Sequence, residues 1–593
     1  MKNIYRIVIF LVISVGLNVS YLSALQEIFP SFEREWRDKN PESLPIWMTE
    51  EEKHKKGEIG KDFLSTPPPV APIRQPAEFE PVEGVLVRYP FGISTAIIAE
   101  IAEDVIVYCV VSSGQQSSAY STMASGGVNM DNVQFINCLT DSYWIRDYGP
   151  WFIFDGNEEP GIVDFIYNRP RPYDDAVPGY VGDYLDLEVY GMDIVHTGGN
   201  YMTDGRGIAV STDLVWEENN NYTYSQIDSI MHEYLGINTY HVVPDVNGEY
   251  IKHIDCWAKF LAPDVIMIRE VPPSHSQYDE IEDAVSYFES QLSCYRTPYT
   301  VCRVYTPNNE PYTNSLIVND KVLVPITGSQ WDDDAIASYE AAMPGYEVLG
   351  FTGSWQSTDA LHCRTKGVVD RGMLYIYHKP LPDTLVTEED YFIGATIIPY
   401  SGESLIADSL LVYWKTTEEE EFSSIQMEYV SGDFYSAYIP AQPEGSIVEY
   451  YIHAADSSGR SENQPYVGAL GAHSFYVEYP HGIDDTEEVT NPYEYTLLQN
   501  YPNPFSTSTT ISFNIPTACP PTVGNLPEQA RIEIYNIKGQ LVKELRIKNL
   551  ELKINKVVWD GTDMHGKPAS SGIYLYRLSA GDFQTSRRML LLR

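Results

Sequence analysis

A cysteine, a histidine and two aspartates on separate short segments have the side-chain types that covalent chemistry on a planar cation needs. Cys363 follows a histidine and precedes an arginine. His253 and Asp255 lie two residues apart, and Asp147 lies between aromatic residues. A thiolate is a strong nucleophile, an imidazole can move protons, and paired carboxylates can hold a cation. The set therefore suits attack on the central carbon of a guanidinium group.

The histidine and the aspartates each allow a second interpretation. We expect His253 and Asp255 to share one face of a strand, about 7 Å apart, although a chance pair on an amphipathic strand is common. Aromatic neighbours would strengthen the attraction of Asp147 for a cation, whereas a structural ion pair with Arg146 is the alternative. Trp144 could line the pocket and stack on a guanidinium, or be a core tryptophan.

The surroundings of Cys363 predict a reactive thiol. Free cysteines are usually buried packing residues. Here His362 and Arg364 flank the cysteine. Such polar neighbours indicate a partly exposed loop in an electropositive setting, which lowers a thiol pKa. We therefore expect Cys363 to be the nucleophile.

Two other local features have open interpretations. The Gly198-Gly199-Asn200 turn permits close approach of the backbone to a ligand, or is only a tight turn. Cys294 and Cys302 are near enough in sequence to form a disulfide, or are two buried thiols. The sequence does not decide either question.

Net charge and the N-terminus limit the class of protein. The 593 residues include 39 Lys and Arg against 83 Asp and Glu, a net charge of -44. This balance argues against a nucleic-acid or anionic-membrane surface. Basic residues, an apolar run at 7–13 and small residues before position 25 predict a signal peptide over 1–24. No other segment is apolar enough for a membrane span, so we expect a secreted or surface-attached protein.

The elements that must position the candidate residues alternate in type. After a propeptide or poorly ordered lead-in over 25–69, strands alternate with amphipathic helices over 70–384, which indicates α/β architecture. Apolar periodicity predicts a helix after Ser225 that ends at Gly236, and further helices around 281–292 and 334–343. A hairpin is predicted at 315–325. One large domain of weakly similar units is possible.

The C-terminal part reads as all-β. Short strands separated by Gly, Pro and Ser turns predict an immunoglobulin-like β-sandwich over 385–480. An acidic linker occupies 481–494, and a small all-β domain follows over 495–593.

Five motifs together resemble the agmatine deiminase-like branch of guanidino-group-modifying enzymes, and in particular its secreted bacterial peptidylarginine deiminases. The resemblance covers roughly 70–480, and the combination is far more specific than any one fragment. In chain order the motifs are Trp144-Ile-Arg-Asp-Tyr-Gly-Pro150, His196-Thr-Gly-Gly-Asn200, His253-Ile-Asp255, Asn314-Ser315 and His362-Cys363.

The resemblance implies a fold, an activity and residue roles. The implied fold is a five-bladed, pseudo-symmetric α/β propeller followed by an immunoglobulin-like domain, and the implied reaction converts peptidyl-arginine to citrulline and ammonia without metal or cofactor. Arg169 and Arg171 match the pair that binds the α-carboxylate of a C-terminal arginine, which their forked guanidinium groups suit. Without the resemblance, a solvated turn with two unrelated surface arginines is the alternative. The implied roles are guanidinium binding for Asp147 and Asp255, acid and base chemistry for His253, support of the nucleophile for Asn314, attack for Cys363 and pocket lining for Trp144 and Tyr250.

The last segment and the competing functions complete the expectations. Residues 499–593 resemble the C-terminal sorting domains of type IX secretion substrates, which implies partnership with that machinery and a place outside the cell. An agmatine or free-arginine deiminase is one alternative, and a non-catalytic secreted adhesin or binding protein is another. A cysteine protease fits less well, because a second carboxylate has no evident use in amide hydrolysis.

Overall fold

The computed structural model describes residues 33, 36 and 38–478 without 249–250 and 387–389, and parts of the chain beyond. Those parts are 496–497, 500, 503, 505, 508–514, 530–536, 538, 540–547, 554–570, 572–580 and 583–591. Contacts divide the chain into two units, Met1–Tyr479 and Pro480–Arg593. The predicted signal peptide and the linker at 481–494 lie outside the described residues.

Four small sheets between residues 151 and 352 repeat one pattern. In each, an antiparallel pair of strands is followed by a helical segment and then by a strand parallel to the second of the pair. The hairpin predicted at 315–325 is confirmed as part of the last sheet. The sheets are Trp151–Phe154, Pro160–Tyr167, Glu188–His196; Met202–Thr203, Ile208–Thr212, Thr239–Val243; Ala258–Ala262, Val265–Glu270, Thr300–Tyr305; and Leu316–Val318, Lys321–Ile326, Glu347–Thr352.

A fifth sheet connects the two ends of this series. Val82–Arg88, Ile106–Val111 and Val133–Asn137 are parallel neighbours. Lys366–Val369 pairs antiparallel with Val82–Arg88. After the four sheets, the chain therefore returns to the sheet that precedes them in sequence. The number of sheets equals the number of blades expected, and the propeller arrangement itself stays a prediction.

Amphipathic helices cover these sheets. The helix Tyr224–Leu235 buries Ile227 and Met231, begins with a capping box at Thr223 and ends at Gly236, where φ is 71°. Its predicted course is thus confirmed, since cap, apolar period and left-handed stop all agree. The helices of this region are Thr95–Asp104, Gln116–Ser125, Ile145–Tyr148, Pro172–Asp175, Val177–Leu185, Leu214–Glu218, Tyr224–Leu235, Tyr278–Ser290 and Asp332–Ala342.

A short turn of helix or a tight turn comes just before the first strand of each pair, and these turns carry the candidate residues. Asp147 lies on Ile145–Tyr148, before the strand that starts at Trp151. A 3₁₀ turn or a tight turn also precedes the first strand of each of the other three antiparallel pairs, and the strand Lys366–Val369. These turns are Gly198–Asn200 before 202, Ile254–Cys256 before 258, Asn314 before 316 and His362–Arg364 before 366.

Residues 374–478 form two further sheets around one apolar core. The strand Leu374–His378, which the predicted boundary at 384 assigns to the α/β part, pairs with Tyr391–Pro399 in the first of them. The immunoglobulin-like topology stays a prediction. In order across the sheets the strands are Leu374–His378, Tyr391–Pro399, Phe434–Ile439, Glu428–Ser431; and Thr384–Val386, His473–Glu478, Ile447–Ala455, Leu411–Thr416, Ser423–Gln426, with Ser461–Gln464 beside Ile447–Ala455.

The second unit is all-β in its described residues. Trp559, Tyr576 and Ile511 are fully buried in its core. Its strands pair antiparallel in two sheets, Thr496–Leu497, Thr509–Asn514, Ile554–Trp559 and Leu541–Ile547, Ala530–Asn536, Gly572–Ala580, Phe583–Leu591.

Within the lead-in predicted over 25–69, the described residues 33, 36 and 38–69 include an ordered segment, which differs from the expectation of poor order there, while the propeptide alternative stays a prediction. A capping box between Thr49 and Glu52 closes the first turn of the helix Glu50–His54. Ile46 and Trp47 are 2% and 5% exposed. Buried apolar side chains and a closed cap give this segment the contacts that an unfolded lead-in lacks. Within the described residues, no helix has the length and hydrophobicity that a membrane crossing requires.

Candidate active site

Cys363, Asp255 and Asn314 meet in one buried cluster. The thiol of Cys363 lies 3.7 Å from Oδ2 of Asp255, and the side-chain amide of Asn314 donates to the sulfur at 3.4 Å. The other amide atom of Asn314, Oδ1, accepts from the backbone N–H groups of Cys363 and Ala360 at 3.3 and 3.1 Å. Asn314 therefore holds both the sulfur and the turn that carries it.

Asp147 and His253 form the other half of the cluster. Nδ1 of His253 lies 3.5 Å from Oδ1 of Asp147, and its Nε2 lies 3.3 Å from the hydroxyl of Thr197. Gly199 packs against both side chains, because a Cβ there would lie 2.5 Å from His253 Nδ1 and 2.7 Å from Asp147 Oδ1. The lack of a side chain at Gly199 thus permits the backbone of this turn to lie directly against His253 and Asp147.

Burial and mutual repulsion give the two aspartates different protonation behaviour. Burial, and next the charge of Asp255, raise the pKa of Asp147 to about 8. Burial also acts to raise the pKa of Asp255, but the hydrogen bond and charge of His362 outweigh it and lower that pKa below its usual value. Burial lowers the pKa of His253 to about 4, so this imidazole is neutral near pH 7. The lowered pKa makes Asp255 the carboxylate of the cluster that is ionised near pH 7.

The thiol of Cys363 differs from the sequence expectation. It is fully buried, and burial together with the charges of Asp255 and Asp147 raises its pKa well above the usual value. The prediction of a partly exposed, electropositive loop is therefore wrong, because Arg364 turns away to pair with Asp359 and carboxylates surround the sulfur. A cation placed between the carboxylates would act in the opposite direction and lower the thiol pKa.

A chain of ionisable groups behind Asp255 was not predicted from the sequence. His362 Nδ1 lies 2.7 Å from Asp255 Oδ2, and its Nε2 lies 2.5 Å from Glu78 Oε2. Glu78 also binds Lys259 at 2.7 Å and Arg146 at 3.0 Å. The structural Arg146–Asp147 pair considered from sequence is thus replaced by a pair with Glu78. The sequence signal for this chain of groups was His362 beside Cys363, but its partner Glu78 lies 284 positions away in the sequence.

The predicted strand around His253 is also corrected. Asp255 lies in the 3₁₀ turn Ile254–Cys256, and His253 is the residue just before it. A turn points the two side chains at different partners, Asp147 for the imidazole and Cys363 for the carboxylate. Alternation along a strand would instead have aligned them on one face.

The four residues predicted to bind substrate have different surroundings. Arg169 is close enough to the cluster that its charge lowers the pKa of Asp147 against the effect of burial. Arg171 is buried and pairs with Glu52 at 2.6 Å. Trp144 is fully buried and donates from Nε1 to the carbonyl of Leu44 at 3.0 Å. Tyr250 lies outside the described residues.

The cysteines outside the cluster form no disulfide in the described part of the chain. Cys294 and Cys302 are both free thiols, and so are Cys109 and Cys138.

Comparison with known families identifies two segments. Residues 74–368 match the family described as Porphyromonas-type peptidyl-arginine deiminase. This range includes every residue of the buried cluster. Residues 499–591 match the family described as secretion system C-terminal sorting domain. Both resemblances noted from sequence are confirmed. The sorting domain marks the chain as secreted or attached to the outer cell surface.

Individual relatives are distant from this chain, at 20–23% identity, and three of them are named agmatine deiminases. Agmatine deiminase of Medicago truncatula is 22% identical over 376 residues, which cover 51% of this chain and 98% of the plant protein. Agmatine deiminase of Ectopseudomonas mendocina is 23% identical over 304 residues, covering 44% and 81%. The solved agmatine deiminase of Enterococcus faecalis superposes with a TM-score of 0.46 at 20% identity, covering 50% of this chain and 95% of that one.

Replacing Gly199 with alanine should disturb the cluster directly. The added Cβ must displace His253 or Asp147. We expect Gly199→Ala to lower kcat/KM for guanidine deimination by about a hundredfold, since small misplacements of reacting groups are costly. Gly179→Ala is the matched control, because a Cβ there meets nothing within 4 Å. Equal activity of the two variants in an ammonia-release assay would contradict this.

Proposed function

We propose that this chain, whose residues 74–368 belong to the Porphyromonas-type peptidyl-arginine deiminase family, converts peptidyl-arginine to citrulline and ammonia. The family is one of guanidino-group deiminases, hydrolases that act on guanidino C–N bonds. A C-terminal arginine is the proposed preferred substrate. The observation that carries the proposal is the thiol of Cys363, 3.7 Å from a carboxylate and hydrogen-bonded by Asn314.

The two aspartates would bind the substrate guanidinium from its edge. Asp255 is ionised beside the thiol, and Asp147 lies against His253. A guanidinium offers planar N–H donors that match two carboxylates through charge-assisted hydrogen bonds. Its positive charge between Asp147 and Asp255 would also favour the thiolate of Cys363, so that substrate binding itself activates the nucleophile.

The proposed reaction has two halves. Neutral His253 takes the thiol proton, and the Cys363 sulfur adds to the central guanidinium carbon to give a tetrahedral adduct. A C–N bond then breaks, and His253 gives its proton to the leaving ammonia. In the second half His253 activates water, the new C–O bond forms, the C–S bond breaks, and the thiol returns as citrulline leaves. Arginine and water become citrulline and ammonia.

His362 and Glu78 act in this proposal as positioning residues. Both imidazole nitrogens face carboxylate oxygens, so the ring orients Asp255 from behind without touching the substrate. Asn314 similarly positions the sulfur.

An agmatine substrate is the second candidate, because the curated relatives named above are agmatine deiminases. The Arg169 and Arg171 pair favours a substrate with a carboxylate, which agmatine lacks. Neither arginine has a role in holding a simple amine. The non-catalytic adhesin has no specific observation in its favour.

We further propose the domain organisation expected from sequence. The five sheets of 82–369 would be blades of a propeller with the cluster at its centre, and 374–478 an immunoglobulin-like module. The segments 1–24, 25–69 and 481–494 would be signal peptide, propeptide and linker.

Removing the sulfur should abolish turnover. We expect Cys363→Ala to form neither citrulline nor ammonia from a peptide ending in arginine, whereas Cys302→Ala, which removes a free thiol from a strand, should retain full activity. Colorimetric citrulline and coupled ammonia assays measure both products. Citrulline formation by Cys363→Ala would refute the role of the thiol, and preference for agmatine over the peptide would favour the second candidate.

The pH dependence of kcat/KM should report the protonation of the Asp147 carboxyl. Below its pKa of about 8 the carboxyl is neutral, so guanidinium binding must release a proton. We therefore expect kcat/KM to fall as pH decreases below about 8, by up to about tenfold per pH unit. Asp147→Asn should lower kcat/KM and flatten this acid limb. A wild-type profile that is flat from about pH 6 to about pH 8 would contradict the assignment.

A further inference from the structure

The chain's own N-terminal segment contacts three of the four residues predicted to bind substrate. The carbonyl of Leu44 accepts from Trp144 Nε1 at 3.0 Å, and the carbonyl of Ile46 accepts from Arg169 at 3.3 Å. Trp36 packs against Trp144 with ring centroids 5.8 Å apart. The segment 44–52, with Trp36 before it, therefore lies on the surface where a substrate peptide would bind.

The side chain of Glu52 contacts Arg171 as a substrate carboxylate would. Arg171 donates from Nε to Glu52 Oε1 at 2.6 Å and from an η nitrogen to Oε2 at 3.4 Å. The same η nitrogen donates to the carbonyls of Pro45 and Trp47 at 2.6 and 3.1 Å. The pair is buried, with Arg171 1% and Glu52 5% exposed. A carboxylate and a run of backbone carbonyls are what the end of a bound peptide presents.

Buried arginine needs such a partner. An unpaired guanidinium away from water is strongly destabilising, so Arg171 must be matched by either Glu52 or another carboxylate. Glu52 and the carbonyls of Pro45 and Trp47 occupy the guanidinium edge formed by Nε and one η nitrogen, whereas the other η nitrogen has no hydrogen-bond partner among the described residues. Binding of a substrate carboxylate to the occupied edge of Arg171 therefore requires Glu52 to leave.

We propose that residues 44–52 are an internal ligand of the active site, with Glu52 in the position of the substrate α-carboxylate, and that proteolysis just after this segment opens the site. The inference rests on the proposed function, since it takes Arg171 to bind the carboxylate of an arginine-ended peptide. It names the regulation of that same site.

The stretch that follows Glu52 is suited to cleavage. Every residue from Lys53 to Glu58 is exposed, as is Lys61. The helix ends at His54, and only a short 3₁₀ turn, Lys56–Glu58, follows before the chain extends. Exposed, weakly structured backbone with several lysines is the kind of site that trypsin-like endopeptidases cut. A cut there would separate Glu52 from the domain that holds Arg171.

Binding to the inactive full-length chain tests this directly. Cys363→Ala would be treated briefly with a lysine-specific endopeptidase, the cut located by mass spectrometry, and a peptide ending in arginine titrated calorimetrically. We expect the cut protein to bind at least about tenfold more tightly than the uncut protein. The control carries Lys→Arg at 53, 55, 56 and 61, which keeps the charges but resists the lysine-specific endopeptidase. Its affinity for the peptide should be the same before and after treatment.

A single substitution tests the carboxylate itself. Glu52→Gln removes the charge, while glutamine still suits the capping-box position that Glu52 occupies with Thr49. We expect Glu52→Gln in the uncut chain to lower KM for an arginine-ended peptide by roughly tenfold and to change KM for agmatine much less. Glu51→Gln, on the exposed neighbouring residue, is the control.

The outcomes separate this inference from the proposed function. Equal peptide affinity before and after the cut, or an equal response of the Lys→Arg control, overturns the internal-ligand proposal even if the enzyme forms citrulline. Tighter binding after the cut, with no citrulline or ammonia from the cut wild-type chain, supports the internal ligand and overturns the deiminase function. An unchanged KM in Glu52→Gln overturns the role of its carboxylate.

Discussion

The cost of placing charges in one buried volume governs this site. Asp147, Asp255 and Cys363 are each 5% exposed or less, and each would have to be charged to hold and attack a guanidinium. The surroundings stabilise the charge of Asp255 alone, through His362 and the cations beyond it. The other two groups hold their protons more tightly than usual. In the proposed reaction, the positive charge of a bound guanidinium between the carboxylates would favour the charged forms of Asp147 and Cys363.

The fold brings residues that are distant in sequence together by repeating one structural element, a short turn followed by a strand. A turn precedes the first strand of each hairpin, and again precedes the returning strand Lys366–Val369, so the side chains it carries come from five separate places in the sequence. Each turn is short and anchored by the strand that follows, which limits how far its side chain can move. Asn314 adds a cross-connection, since it bonds both the sulfur of Cys363 and the backbone of Cys363 and Ala360.

Local signals were readable from sequence, and long-range partners were not. The helix Tyr224–Leu235 was predictable because its cap, period and stop are all encoded nearby. The candidate residues were found from their types and the order of their motifs. The buried state of Cys363 was missed, because the carboxylates that raise its pKa come from other turns. The pairing of Arg171 with Glu52 was missed for the same reason, since 119 positions separate them and charge composition does not specify partners.

Trapping the covalent intermediate tests the central claim most directly. The full chain, with its N-terminal segment cut, would be mixed with an arginine-ended peptide, quenched in acid within the first turnover, digested and analysed by mass spectrometry. The account predicts an adduct on Cys363 with the mass of the peptide less ammonia, which disappears as citrulline accumulates. Citrulline formation with no adduct on Cys363 at any quench time, or an adduct on another residue, would contradict it.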